Sequence, residues 1–432
     1  MTDLASVPHL PILSIQSATD GRLKRRHAAE ARFRACGLAA VVVTLAFLAL
    51  LLGRIVSQGY TALATHSISL AVYVDPDRVD ARDLTGANYD MLVAGALLKK
   101  LGAPDDDLGE NIGRARGLVS RQLGYDLLDR LRADPRLIGH TVELSGPVSA
   151  KADLYFKGGI KRATLEADRN LDDRALGWLD RLKASGAVRG GFNFAFFTRS
   201  DSTEPEQAGV LGALVGSALT LAITALLCVP MGVLAAIYLE EYAPKGRFTD
   251  VIEVNINNLA AVPSIVYGLL GLAVFLNGLG LPRSSPLLAG VVLALMVMPT
   301  VIIAARAALK AVPSSIRDAA MAVGASRTQT VFHHVLPLAT PGMMTGAILA
   351  MSHALGETAP LLMIGMVAFV PGVPQSLASA ATVLPVQIFI WAQASERAFA
   401  ERTAAAIIVL VAFMILINGA AIVVRRRFER RW

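Results

Sequence analysis

Val312 to Gly365 reads VPSSIRDAAMAVGASRTQTVFHHVLPLATPGMMTGAILAMSHALGETAPLLMIG, a polar stretch that runs into an apolar one and ends beside a histidine and a glutamate. Ser315 followed by Asp318 has the spacing of a capping box, with an acid where the positive end of a helix favours it. Ile316, Ala319, Ala320 and Val323 then recur at helical spacing. Gly324 is placed to end that helix in the left-handed conformation. Ser326 with Gln329 repeats the capping pattern and opens a second short helix carrying Val331, Phe332 and Val335, which Pro337 is expected to stop. Two capped helices hinged at a glycine predict a rigid projection suited to taking force from a soluble partner. An amphipathic connector lying on a membrane surface is the plainer alternative.

The flanks set the compartment. Apolar residues make up 54% of the chain, much of it in continuous runs, and 18 or more such residues are enough for a helix to cross a bilayer. The sequence therefore predicts an all-α polytopic membrane protein with six transmembrane helices. Span one covers about Cys36 to Val56 (35–56), span two Ala208 to Leu239 and span three Leu259 to Leu279. Span four runs from Leu287 to Ala308, span five begins after Pro341, and span six covers Ala404 to Val424. The run Glu240 to Asn258 reads as a polar loop. The net charge of +7 lies beside these runs: Arg22, Lys24, Arg25, Arg26, Arg32 and Arg34 in a basic tail (1–34), and RRRFERRW at 425–432. Retention of positive charge in the cytoplasm explains it better than nucleic-acid binding, and puts both termini inside. Cys36 and Cys228 lack disulfide or metal spacing. The first apolar run, with no clear cleavage site after it, reads as an uncleaved anchor.

Residues 57–206 differ from the rest, being rich in charge and free of any run long enough to span. Ile68, Leu70, Val72 and Val74 alternate as in a half-buried strand. Asn88 is placed to cap a helix bearing Leu92, Val93, Ala96 and Leu97. Leu123, Leu127, Leu128 and Leu131 form a second helical stripe, Leu176, Leu179 and Leu182 a third, and Ala152 to Phe156 is a strand candidate. The insert is expected to be an α/β domain outside the cytoplasm, between helices one and two. It shows no catalytic constellation, and Asp105, Asp106 and Asp107 lack the alternating ligands of a calcium loop.

Within the opening stretch, Asp318-Ala319-Ala320, Gly324 and Leu336-Pro337 resemble the EAA loop of binding-protein-dependent ABC importers, with Asp318 in place of Glu and His334 in place of Ile. The resemblance implies that 312–337 is a coupling loop seated in a groove of an ATPase subunit, with Ile316, Asp318, Ala319, Ala320, Gly324, Leu336 and Pro337 forming the contact. GETAPL (Gly356 to Leu361), YLEEYAP (Tyr238 to Pro244), AAVPSIVYGLLGL (Ala260 to Leu272) and LPVQIF (Leu384 to Phe389) are similar to the PstA-type permeases of phosphate importers over about Phe192 to Val424. That likeness implies a type I ABC importer permease fold in a bacterial inner membrane (207–424). The implied partners are a PstC-type second permease, a PstB-type ATPase dimer and a PstS-type periplasmic binding protein. No cofactor would be bound by this chain, ATP and magnesium belonging to the ATPase.

His353 and Glu357 are four residues apart and share a helix face. Because a charged residue at mid-membrane costs roughly 2.5–3.5 kcal/mol on insertion scales, such groups face a polar path or a partner. Pro360 lacks an N–H, so the carbonyl of Gly356 loses its usual donor and the helix is expected to bend or break there. Thr358 adds a hydroxyl. We read His353, Glu357 and Thr358 as substrate-path residues, with Gly356 and Pro360 as the break; a structural hydrogen bond between spans is the alternative. In the resembled family arginine usually stands at the place of His353, and histidine changes charge near neutral pH where arginine does not.

Other function classes fit less well. The chain has no GxxxxGK[ST] phosphate loop, so hydrolysis of ATP must come from elsewhere, and no HExxH ligand set for an intramembrane metalloprotease. A receptor would need an output domain after Val424. Within transport, a PstC-type subunit or a permease for sulfate or molybdate are the alternatives.

Overall fold

The computed structural model describes residues 12–102, 108–166 and 170–428, so the acidic run Asp105 to Asp107 lies outside the described residues. The chain divides into two compact units, Met1–Ser57 and Gln58–Trp432. The first is carried by a single helix, α1 (Ile12–Gly59). Its basic residues Arg25, Arg26, Arg32 and Arg34 stand exposed on the same rod as the apolar run rather than on an irregular tail. The reason is local: no proline occurs between Pro11 and the end of this helix, and the Ala, Arg, Lys and Glu that dominate 22–34 are good helix formers.

The second unit opens with a layered α/β region. β1 (Ala64–Tyr73) is followed by α2 (Tyr89–Leu101), α3 (Leu108–Arg116), α4 (Gln122–Ala133), β2 (Thr141–Pro147), α5 (Ala150–Phe156), α6 (Asp173–Ala184) and β3 (Val188–Phe192). The strands form an antiparallel sheet in the order β2-β1-β3. Ile68, Leu70, Val72 and Val74 are buried, as the alternation predicts, against Leu92, Val93 and Leu97 of α2, Leu123, Leu127 and Leu131 of α4, and Leu176, Leu179 and Leu182 of α6. Each such side chain contributes about 1.5–3 kcal/mol when taken out of water. Asn88 caps α2 by accepting from the Met91 amide. Ala152 to Phe156 is helical, not a strand, because Ser149 accepts from the Ala152 amide and Asp153 stands in the first turn. A cap and a favourable dipole charge outweigh a five-residue alternation.

A short helix α7 (Phe194–Thr198) leads into the apolar part: α8 (Leu211–Ile237), α9 (Arg247–Ala260), α10 (Ser264–Leu270), α11 (Pro286–Lys310), α12 (Ser314–Ala322), α13 (Leu336–Gly356), α14 (Ala359–Met363), α15 (Leu384–Ala392) and α16 (Ala398–Phe428). Five helices among the described residues are long and apolar enough to cross a membrane: Arg25–Leu63, Leu211–Tyr242, Pro286–Lys310, Arg327–Gly356 and Ala398–Arg427. The run expected as span three is different. Arg247–Ala260, expected as loop, is an amphipathic helix that meets Ser264–Leu276 at a bend of 101°, with Pro263 at the corner. Counted as one broken span, the pair brings the number to six. Small residues set the packing. The backbone of α11 approaches α8 at Gly290, where a Cβ would come 2.6 Å from Ile223, and α13 approaches α11 at Gly346, where a Cβ would come 2.2 Å from the Ala304 Cβ. Close backbone approach of this kind holds helices together where apolar surface alone gives no preference for a partner.

A buried charge network ties the α/β region to α16. Lys157 Nζ lies 2.6 Å from Asp153 Oδ2 and 3.2 Å from Glu401 Oε2, and Asp153 Oδ1 is 2.9 Å from His66 Nδ1. Burial raises the Asp153 pKa, but the His66 hydrogen bonds and the Lys157 charge outweigh it and leave the carboxyl below its ordinary value. The neighbouring Arg402, also buried, sits over the Phe196 ring at 5.8 Å.

Candidate functional site: the loop between α11 and α13 and the broken helix after it

The loop begins at Pro313, which takes the cap position of α12, so Ser315 and Asp318 do not form the expected capping box. The helix starts too early for Ser315 to act as a cap. Ile316 is half-buried and Ala320 buried, whereas Asp318, Ala319 and Val323 are not enclosed to that degree, Val323 being 86% exposed. The inward face is therefore narrower than the spacing suggested, and the outward one carries a carboxylate. Gly324 has φ +90°. Its amide donates to the Met321 carbonyl at 3.0 Å and that of Ala325 to the Ala320 carbonyl at 3.1 Å, the paired bonds of a Schellman ending. The second capping box is formed: the Gln329 amide donates to Ser326 Oγ at 3.3 Å, and the Ser326 amide to Gln329 Oε1 at 2.9 Å.

Pro337 does not stop the second helix. The segment from Arg327 to Gly356 is one 30-residue helix, because the turn Thr330–Val335 widens to i→i+5 bonding. A wide turn makes room for a proline that lacks its N–H. Leu336 is half-buried beside it and His334 is exposed. With His333, Ala308, Pro313 and Ile316, His334 lines an open groove of about 510 Å³. A polar ring is tolerated there because it meets solvent.

The residue that holds this loop in place is Arg317, which no sequence motif singles out. Its Nη2 donates to Glu241 Oε1 at 2.6 Å and to the Leu309 carbonyl at 3.0 Å, and its Nη1 to the Val312 carbonyl at 2.8 Å. One guanidinium thus closes the end of α11 and fastens α12 to the wide turn Tyr238–Tyr242 after α8. Glu241 is 7% exposed, so the pair is largely out of water. The second half of the loop is held by the next residue of that turn. Arg327 lies over the Tyr242 ring at 5.6 Å, and the Tyr242 hydroxyl donates to Thr328 Oγ1 at 3.4 Å. The EEY of YLEEYAP was the available signal, but its partner lies 76 residues away in sequence.

At the other end of α13 the helix stops at Gly356, and α14 restarts at Ala359 with Pro360 in its first turn. The expected break is there. His353 Nε2 is 2.9 Å from Glu357 Oε1, with the histidine side chain 59% exposed and the glutamate 19%. Thr358 is half-buried at the gap. The structure adds a neighbour to this break. Gly268 of α10 crosses α14 so closely that a Cβ on it would come 2.7 Å from Pro360 Cα and 2.9 Å from the Pro360 carbonyl oxygen. Tyr267, next to it, donates to the Leu259 carbonyl at 2.8 Å across the 101° bend. Two discontinuous helices, one in each of two motifs far apart in sequence, therefore meet back to back. Unwound segments at membrane depth require backbone partners, and they are found where a polar path runs through the protein. Beyond the break, Gly365 has φ +92° and its carbonyl accepts from Ser284 Oγ at 2.5 Å. The Arg283 side chain lies so close over Gly365 that a Cβ there would be 2.5 Å from its Nε.

Residues 228–432 match the family described as binding-protein-dependent transport system inner membrane component, and residues 20–166 match a domain of unknown function (DUF3333). Among curated proteins the chain is 37% identical over 172 residues to a probable ABC transporter permease protein, YqgI, of Bacillus subtilis, covering 39% of this chain and 58% of that one. It is 36% identical over 162 residues to the phosphate transport system permease protein PstA 1 of Mycobacterium tuberculosis, covering 37% of this chain and 53% of that one. A third match is the phosphate transport system permease protein PstA of Haemophilus influenzae, 34% identical over 166 residues, with 38% and 58% covered. The chain thus spans a little over half the length of these relatives. Among solved structures, an inward-facing form of the MetNI methionine ABC transporter aligns at 20% identity with a TM-score of 0.40, over 50% of this chain and 95% of that one. Over residues 228–432 the chain is thus similar to the binding-protein-dependent transport system inner membrane components, and among curated proteins to PstA permeases of phosphate transport systems.

Proposed function

We propose that this chain is the PstA-type permease subunit of an ATP-driven importer of inorganic phosphate in a bacterial inner membrane. The observation that carries the reading is the crossing of two broken helices at Gly268 and Pro360 beside the exposed His353–Glu357 pair. Phosphate needs donors and positive charge at the point where it leaves water. His353 supplies a donor, Glu357 holds its ring, and Thr358 offers a hydroxyl at the gap. The exposed side of this pair faces a PstC-type second permease, so that the path lies between the two subunits.

In this reading the chain crosses the bilayer six times, the bent pair α9–α10 serving as one crossing, with both termini in the cytoplasm. The 57–206 region stands on the periplasmic side, where a PstS-type binding protein delivers phosphate. A PstB-type ATPase dimer binds ATP and magnesium and seats Ile316, Asp318, Ala319, Ala320 and Gly324 in its grooves, with Leu336 and Pro337 at the base of the contact. This chain binds no cofactor and hydrolyses nothing.

The test is phosphate uptake in cells lacking their own permease, complemented with this chain and its co-encoded partners. Glu357→Gln should assemble normally and abolish uptake. Normal uptake by that variant removes Glu357 from the path. Uptake of sulfate or molybdate in place of phosphate would redirect the substrate assignment while leaving the permease reading intact.

A further inference from the structure

The α/β region has an unfilled strand edge. In β1 the even-numbered residues bond toward β2: the Val74 amide donates to the His140 carbonyl at 3.0 Å, and the His66 carbonyl accepts from the Val148 amide at 3.0 Å. An antiparallel ladder alternates, so the N–H and C=O groups of the odd-numbered residues point to the opposite side. There β3 covers β1 only from Ala64 to Ile68, because Gly186, with φ +69°, turns the chain into β3 only at that point. At Ser69, next along, the amide donates to the Ala187 carbonyl at 3.4 Å and the carbonyl accepts from Lys100 Nζ at 2.6 Å, so the open edge begins beyond it. Ala71 and Tyr73 are left facing a cleft of about 560 Å³ between the strand edge and α2.

The walls of that cleft define its ligand. Gly95 on α2 faces it, and no atom lies within 4 Å of where a Cβ on that glycine would stand, so the floor is low enough for another backbone to approach. Tyr73 and Met91, 52% and 41% exposed, form an apolar shelf at one end. Lys99 and Lys100 stand at the other end, and on the rim Arg78 Nε lies 3.7 Å from Asp75 Oδ2, the one acid among the lining residues. An open edge is a template for one more strand, and a helix running beside it supplies side-chain pockets for the added peptide.

We infer that the cleft between β1 and α2 binds an extended acidic peptide segment of a partner protein, which adds to the sheet as a strand alongside Ala71 and Tyr73. Main-chain bonds to these two residues give register, Lys99 selects negative charge, and the Tyr73–Met91 shelf takes an apolar side chain. The inference is independent of which solute the permease carries.

The test uses the full chain in nanodiscs and a fluorescein-labelled probe, Glu-Val-Glu-Val-Glu-Val-Glu. Binding should slow amide hydrogen exchange across 69–73. A probe methylated on alternate backbone nitrogens, and the Lys-for-Glu counterpart, should each bind at least about tenfold more weakly. Gly95→Phe, which meets open space and so leaves the fold intact, should block the groove, and Lys99→Glu should weaken binding about tenfold or more. The proposal is overturned if the probe fails to bind below about 1 mM. It is equally overturned if the methylated probe binds as well as the original, or if inorganic phosphate displaces the probe without any change in exchange at 69–73. The last two results would mark an anion pocket with no strand addition.

Discussion

Breaking the Arg317–Glu241 pair should release the loop between α11 and α13 while leaving the rest of the fold in place. The pair is short, 2.6 Å between Nη2 and Oε1, with the arginine side chain 21% and the glutamate 8% exposed. Removing one partner of a buried ion pair costs about 3–5 kcal/mol, because the remaining charge is left without compensation. The arginine side chain is a fifth exposed, so the lower end, about 3 kcal/mol, is the reasonable expectation. That figure corresponds to roughly a hundredfold or more in a local opening equilibrium. In Arg317→Met, amide exchange across α12 should therefore accelerate by about two orders of magnitude, with the α/β region unchanged. Adding Glu241→Gln removes the orphaned carboxylate, so the double variant should recover most of the protection. Hydrogen exchange by mass spectrometry on the purified full chain reads Arg317→Met, Glu241→Gln alone and the double variant. Exchange in α12 that is unaltered by Arg317→Met, or costs that simply add in the double variant, would refute the claim that this pair anchors the loop.

Gly268→Ala forces a Cβ to within 2.7 Å of the Pro360 backbone and should cost about 1–3 kcal/mol in overpacking, lowering the thermal midpoint in detergent and abolishing uptake. Gly356→Ala, with open space around it, should leave the midpoint unchanged, and equal effects from the two would undo the crossing argument. Lys157→Met leaves the carboxylates of Asp153 and Glu401 without their shared cation and should destabilise the chain by about 3 kcal/mol or more; an unshifted denaturation midpoint would show that the network is not a clamp between the α/β region and α16. Burial raises the pKa of Glu206 above its ordinary value of 4.5. A raised acid contributes its stabilisation below the ordinary value and loses it as pH rises through the folded one. Glu206→Gln should accordingly stabilise the protein at neutral pH and give no gain below pH 4.5, whereas a gain constant across that range would contradict the assignment.

Local pattern carried the reading wherever one element decides its own structure. The alternation of Ile68 to Val74, the Asn88 cap and the leucine stripes of α4 and α6 all stand as expected, because each is set by burial of one face. The departures are cases where a neighbour changed the outcome within a turn or two. Pro313 took the cap that Ser315 was expected to hold, Ser149 turned a five-residue alternation into α5, and a wide turn absorbed Pro337. What stayed hidden is what spans the chain. His353 and Glu357 sit four apart and were visible together, but Arg317 and Glu241 are joined across 76 residues, and Gly268 meets Pro360 only through the packing of α10 on α14. Glycine signals that something comes close, without saying what.

The absorbed proline changes how the two halves of the site are connected. A stop at Pro337 would leave a separate loop and a separate membrane helix with a flexible joint between them. The structure instead runs one helix of 30 residues from Arg327 to Gly356, about 45 Å long at 1.5 Å per residue. One end sits in the capping box Ser326–Gln329 beside Tyr242, and the other ends at the break that holds His353 and Glu357. A continuous helix is stiff along its axis, so a displacement imposed at Ser326 reaches Gly356 except where it is absorbed at the wide turn Thr330–Val335 or at the interior Pro341. A further break, introduced by a proline at the exposed Leu349, should uncouple the two ends at a cost of about 3 kcal/mol to the helix. The loop between α11 and α13 would keep its anchors on Glu241 and Tyr242, the His353–Glu357 pair would remain formed, and on the proposed function uptake would still be lost. Retained uptake in a Leu349→Pro variant that reaches the membrane at normal levels would show that the drive travels by another route, of which α11, packed along α13 through Ala304 and Gly346, is the one the structure offers.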